Sequence, residues 1–162
     1  MTKLVYIGTH PQQSNGYSKV VYNHLYELGK NDNIYTICYG IQNEKSVNSG
    51  RKLDNVNIYN VPVNENDTYG FDHLIDFINI STPDVIFIYN NPFICSKYLH
   101  VLKDYKCKKL VYLDVTYTHC NRDIINYIKQ NSNTVYFFSE FLCIHYESEI
   151  NILKHYYKAV NV

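Results

Sequence analysis

Six short apolar runs, separated by loops or by segments of helical period, constrain this chain more than any other feature. The first run, Leu4, Val5, Tyr6 and Ile7, ends at Gly8 and suits a strand covered on both faces. From Tyr17 the apolar positions change period. Val20, Val21, Leu25 and Leu28 fall at helical spacing, with Lys19, Asn23, Glu27 and Lys30 between them. Ser14 and Asn15 are good N-cap residues, Asn15-Gly16 closes the loop, and Gly29 lies near the helix end. A first strand running through a glycine-containing loop into a helix N-terminus is how α/β proteins present backbone N–H groups to an anion.

The same alternation continues. Ile34–Tyr39 reads as a second buried strand ending at Gly40, residues 41–54 as a polar loop, and Val56–Val61 as a third strand stopped by Pro62. After a loop over 64–70, Phe71, Leu74, Ile75 and Ile78 build the apolar face of a helix from about Phe71 to Ile80. Ser81-Thr82-Pro83-Asp84 breaks it and leads into the fourth strand, Val85–Tyr89. Asn90-Asn91-Pro92 starts a helix to roughly Lys103, with Pro92 suited to the first turn. Lys109–Asp114 is the fifth strand, Arg122–Gln130 a helix, Thr134–Phe138 the sixth strand, and Ser139-Glu140 caps a helix through about Tyr146. Glu149–Leu153 reads as one more short strand, and the rest from Lys154 as a tail or linker.

Strands alternating with helices predict right-handed βαβ crossovers and a three-layer α/β fold: a Rossmann-like parallel sheet, order 3-2-1-4-5-6, with helices on both faces. One domain is expected over residues 1–153. Ligands of such sheets bind outside the carboxyl ends of the strands, near the switch between strands 1 and 4. His10, Asn15, Gly16, Tyr17, Asn90, Asn91, Asp114, Thr116, Ser139 and Glu140 follow those strand ends.

Composition removes several classes of function. Lys+Arg and Asp+Glu are both 15, so the charge is balanced and lacks the basic footprint of a nucleic-acid binder. The five cysteines are scattered and form no CxxC pair, which fits reduced thiols in a cytoplasmic protein better than a disulfide framework or zinc knuckle. Met1 to Lys3 leads straight into a strand without a signal-peptide core, and no apolar run approaches the ~20 residues that span a bilayer. His119, Cys120 and His145 make no metal spacing, so no metal is expected. The dinucleotide pattern G-x-G-x-x-G is missing, no acidic residue ends strand 2, and neither a Walker loop nor a G-x-S-x-G elbow occurs.

The stretch IGTHPQQSNGYSKVVYNHLYEL resembles the first strand, glycine loop and first helix of GT-B glycosyltransferases of the family 4 type. PDVIFIYNNP is similar to their fourth strand, KLVYLDVTYT to their fifth, VYFFSEFLCIHY to the sixth strand with its following helix, and EINIL to the strand before the linker. IYNNP and the GYSKV loop look especially like glycosyltransferases of large DNA viruses infecting algae or amoebae. This resemblance implies the N-terminal, acceptor-side half of an enzyme that transfers a sugar from a nucleotide-sugar donor without a metal. The donor-binding C-terminal domain with its E-x7-E motif has no counterpart in this sequence, so this chain alone is expected to be inactive and to need that partner in cis or in trans.

Carried onto these residues, the resemblance places Asn15, Gly16 and Tyr17 against the donor phosphates, with Gly16 free to adopt positive φ. His10, Asn91, Thr116, Ser139 and Glu140 would contact the acceptor. The histidines that family members often carry after strands 4 and 5 fall on Asn90 and Asp114; Asn90 cannot serve as a base, whereas Asp114 could orient an acceptor hydroxyl or act as one. Each position also has a plainer reading: a helix cap for Asn15 and Ser139, an exposed loop side chain for His10, turn formation for Asn90 and Asn91. The alternative for the whole chain is a stand-alone, non-catalytic ligand- or nucleotide-binding module.

Overall fold

The computed structural model describes residues 1–42, 49–116 and 118–146. Among them, β1 (Thr2–Thr9) lies inside the sheet, paired in parallel with β2 (Ile34–Ile41) on one side and β4 (Val85–Asn90) on the other. β3 (Val56–Val61) flanks β2, while β5 (Lys108–Leu113) and β6 (Thr134–Phe137) extend the sheet beyond β4. The order is 3-2-1-4-5-6, all parallel. It is the Rossmann-like arrangement that the alternation predicts.

Period-2 alternation divides each strand between two cores. Val5, Ile7, Ile86, Ile88, Val111 and Leu113 face α2 (Phe71–Ser81), α3 (Pro92–Val101) and α4 (Arg122–Asn131), which contribute Leu74, Ile78, Leu99, Ile125 and Ile128. Leu4, Tyr6, Tyr89 and Tyr112 face α1 (Gly16–Leu28), whose Val21 and Leu25 are fully buried there. A short α5 (Glu140–His145) sends Leu142 and Cys143 into the first core, beside β6.

Local chemistry explains the boundaries. Asn15 caps α1 by accepting from the Ser18 N–H at 2.8 Å, and Asn91 caps α3 by accepting from Ile94 N–H at 3.0 Å, with Pro92 at the start of that helix. Gly70 precedes α2 in the left-handed region at φ 69°, and the buried Asp67 carboxylate accepts from Phe71 N–H at 2.9 Å and Asp72 N–H at 2.8 Å.

Several strand ends differ from the sequence expectation, β1 running on to Thr9 while β5 and β6 stop one residue early, at Leu113 and Phe137. β2 does not stop at Gly40: the register continues through Gly8 opposite Gly40 and Thr9 opposite Ile41. Likewise β4 includes Asn90, paired with Leu113, so Asn90 is the last strand residue rather than the first of a turn. Parallel pairing, which a single-sequence pattern does not contain, decides both. The predicted strand Glu149–Leu153 lies outside the described residues.

The α1 side of the sheet is aromatic. Tyr6 stacks on Phe87 with centroids 5.0 Å apart, Tyr89 stacks on Tyr112 at 5.2 Å, and the His24 ring stands 5.6 to 6.1 Å from Tyr6, Phe87, Tyr89 and Tyr112. His24 Nδ1 lies 2.7 Å from the Tyr6 hydroxyl. Burial among these rings lowers the His24 pKa to about 4.

Two stability predictions follow from this packing. The unfolded chain binds a proton at the ordinary histidine pKa, before folded His24 does. Stability is therefore fully present above about pH 6.5 and is lost as pH falls toward 4, by on the order of 2 kcal/mol. Urea titrations across that range should show this slope, and His24→Phe should flatten it. Gly70→Ala, which forces a side chain into a left-handed position against Val61 and Tyr39, should cost about 2 kcal/mol in the same assay.

Candidate functional site

The carboxyl edge of the sheet begins with a loop that is tied down rather than open. His10 leaves β1 with only 6% of its surface exposed. Its Nε2 lies 2.8 Å from Asn60 Oδ1, and its Nδ1 accepts from Gln12 N–H at 3.2 Å. Donating at one nitrogen and accepting at the other is the pattern of a neutral imidazole. Burial lowers its pKa, against the opposing effect of the Asn60 hydrogen bond. The ring fits because Gly40 has no side chain; a Cβ there would stand 2.9 Å from His10 Cδ2. The plainer expectation of an exposed loop histidine is thus corrected, and both ring nitrogens are occupied by protein partners.

Arg51 holds the next residues. Its Nη1 donates to Pro11 O at 3.3 Å, Gln13 O at 3.3 Å and Ser18 Oγ at 3.1 Å, and its guanidinium lies 5.7 Å from the centre of the Tyr22 ring. Ser18 Oγ in turn donates to Gln13 O. Ser49 N–H donates to Gln12 O at 2.8 Å, so residues on the β2–β3 connection clamp the β1–α1 loop. This pins the direction in which α1 starts.

At that start the amides of Gly16 and Tyr17 have no acceptor within the described residues, as expected for a first helical turn. Nothing lies within 4 Å of where a Gly16 Cβ would stand. Gly16 does not use positive φ; among the described glycines only Gly50 and Gly70 do. The expected conformational role of Gly16 is therefore replaced by a spatial one: it leaves the helix N-terminus uncovered.

Tyr17 reaches from α1 to the residue after β5. Its hydroxyl lies close enough to the half-buried Asp114 carboxylate for the two to interact, and burial together with that neighbouring carboxylate pushes the Tyr17 pKa up. Its ring centre lies 5.6 Å from that of Tyr89, and Tyr69, from the β3–α2 connection, adds a further phenol close enough to act on it. Asp114 is fixed through its backbone, N–H to Asn90 O at 3.0 Å. The same carbonyl accepts from the buried Cys95 thiol at 3.4 Å. Asn90 is buried at 5% exposure, with its side-chain oxygen accepting from Asn91 N–H at 2.8 Å.

The structure thus joins Asn15, Gly16 and Tyr17 to Asp114 and Asn90 at the β1/β4 switch point. The others stand in different roles. Asn91 caps α3, Ser139 caps α5 by accepting from Leu142 N–H at 3.3 Å, Glu140 is the first residue of α5, and Thr116 is exposed after β5. An open depression of about 500 Å³ lies elsewhere, lined by residues of α2, α3 and α4 including Phe71, His100 and Tyr127. Among the described residues, no group of three or more His, Cys, Asp and Glu side chains is arranged to hold a metal ion, and no helix is long and apolar enough to cross a membrane.

No sequence motif marks Arg51, Asn60 or Tyr69. Only the rarity of arginine, shared with Arg122 alone, marks Arg51 in the sequence. No protein-family model matches this chain, and no curated protein matches it at a significant level.

Arg51→Ala should free the 11–18 backbone. Amide exchange of Gln12, Gln13 and Ser18 should accelerate at least tenfold, with a stability loss of about 2 kcal/mol, because charge-assisted bonds to three acceptors are lost together.

Proposed function

We propose that this chain is the acceptor-side half of a sugar-transferring enzyme built from two Rossmann-like domains. The observation that carries this reading is the Tyr17–Asp114 contact, which sets a carboxylate beside an uncovered helix N-terminus at the switch point of a doubly wound sheet. The two features match the two charges that change in glycosyl transfer. An acceptor hydroxyl attacks the anomeric carbon, the bond from that carbon to the diphosphate oxygen breaks, and the nucleoside diphosphate departs as an anion.

In this scheme Asp114 orients the acceptor hydroxyl and takes its proton as the new C–O bond forms. Tyr17 occupies part of the carboxylate and fixes its direction. The free amides of Gly16 and Tyr17, aligned with the positive end of α1, stabilise the departing diphosphate. Asn90 presents its side-chain N–H₂ group to a sugar or acceptor oxygen, its carbonyl oxygen being held by Asn91. The donor's base and sugar are bound by a second domain, supplied in cis or in trans.

Calorimetric and thermal-shift titration of the chain with UDP-, GDP- and ADP-sugars and with a panel of glycan acceptors tests this division. A glycan acceptor should raise the melting temperature, as any ligand of the folded state must, while nucleotide-sugars bind weakly or not at all. Asp114→Ala should remove the acceptor's effect while lowering the unliganded melting temperature by no more than about 5 °C, the cost of one partly buried polar contact. Tight binding of a nucleotide to this chain alone would replace the proposal with a nucleotide-binding module.

A further inference from the structure

We propose that the open depression on the helix layer is a self-association surface, on which a second copy of this chain sits about a two-fold axis running along the groove between α3 and α4. The depression measures about 500 Å³ and shares no residue with the switch point. Phe71, Val101 and Ile124 give it an apolar floor. Phe93, 53% exposed, extends that apolar surface along α3, one turn before Lys97, whose Nζ stands 4.5 Å from the centre of the Phe93 ring. The two walls differ in sign. α3 contributes Lys97 and α4 contributes Asp123, both exposed, and neither has an ion-pair partner among the described residues.

These features select the occupant. A small ligand needs a cleft that encloses most of its surface, whereas this depression is open. A protein that covers it must bring an acid to α3, a base to α4 and apolar side chains between them. The chain itself meets all three requirements. A two-fold axis along the groove sets α3 of each copy over α4 of the other, so Lys97 of each copy meets Asp123 of the other and the two apolar floors close together. His100 Nδ1 on α3 and the Tyr127 hydroxyl on α4, 3.4 Å apart, bridge the walls within one copy and keep the two charges in fixed relation. With Lys+Arg and Asp+Glu both 15, the copies carry no net charge to hold them apart.

Sedimentation velocity on the full chain tests this. The unaltered chain should pass from monomer to dimer between roughly micromolar and millimolar concentration, and added salt should weaken the association. Lys97→Glu and Asp123→Lys should each weaken it at least about tenfold, because every pair between copies then becomes like-charged. Mixed in equal amounts, the two single variants should dimerise as the unaltered chain does, since each supplies the charge that the other lacks. Asp123→Lys also removes an acid from the first turn of α4 and should lower that variant's melting temperature. Mixing restores no such loss, so the rescue reads the contact between copies rather than folding. A chain that stays monomeric up to roughly millimolar concentration overturns the proposal. So does a dimer indifferent to both reversals, or a pair of single variants that fails to associate on mixing.

Discussion

The burial of β1 on both faces and both edges is the constraint on which the rest of this protein depends. Val5, Tyr6 and Ile7 have no exposed surface, and both neighbours pair with them in parallel. A strand in that position cannot slip by one residue without moving its two side-chain sets into the wrong cores. It therefore fixes which face α1 covers and which face receives α2, α3 and α4. It also fixes where the chain leaves the sheet, because the loop at His10 and the opening of α1 begin where β1 stops.

The two faces solve burial differently. The α2–α4 side is chiefly aliphatic, with Tyr39, Cys95 and Tyr98 fully buried among its isoleucines, valines and leucines. The α1 side packs phenols and a phenylalanine around His24, which is cheap in shape but restricts that histidine to its neutral form. His10 at the carboxyl edge is held neutral as well. The polar chemistry left at the switch point is thus concentrated in Asp114, the Tyr17 phenol and the uncovered amides of α1. Arg51, a cation close to that point, is engaged by loop carbonyls and by Ser18. Its position makes the loop rigid, and rigidity is what a group needs if it is to meet a transition state without reorganising.

Much of the architecture was legible in the sequence because it rests on local signals. The strand Val56–Val61 has the limits that its alternation and Pro62 predict, and α3 begins at Pro92 as proline chemistry requires. Strand ends at Gly40 and Asn90 were misjudged for a physical reason. Glycine and asparagine break isolated strands, yet Gly40 pairs with a strand on each side and Asn90 with Leu113 of β5, and that pairing carries the strands through them.

The site divides along the same line. The sequence by itself determined the order of strands and helices, the caps at Asn15 and Ser139, and the short list of residues that follow the strands, since spacing and side-chain type act over a few residues. Tertiary structure alone decided that Tyr17 meets Asp114 across nearly a hundred residues, that His10 turns inward over Gly40, and that Arg51 clamps a loop far from it in sequence. These contacts depend on strands being brought side by side, and the energy that does so, apolar burial, carries no memory of which polar side chains it brings together.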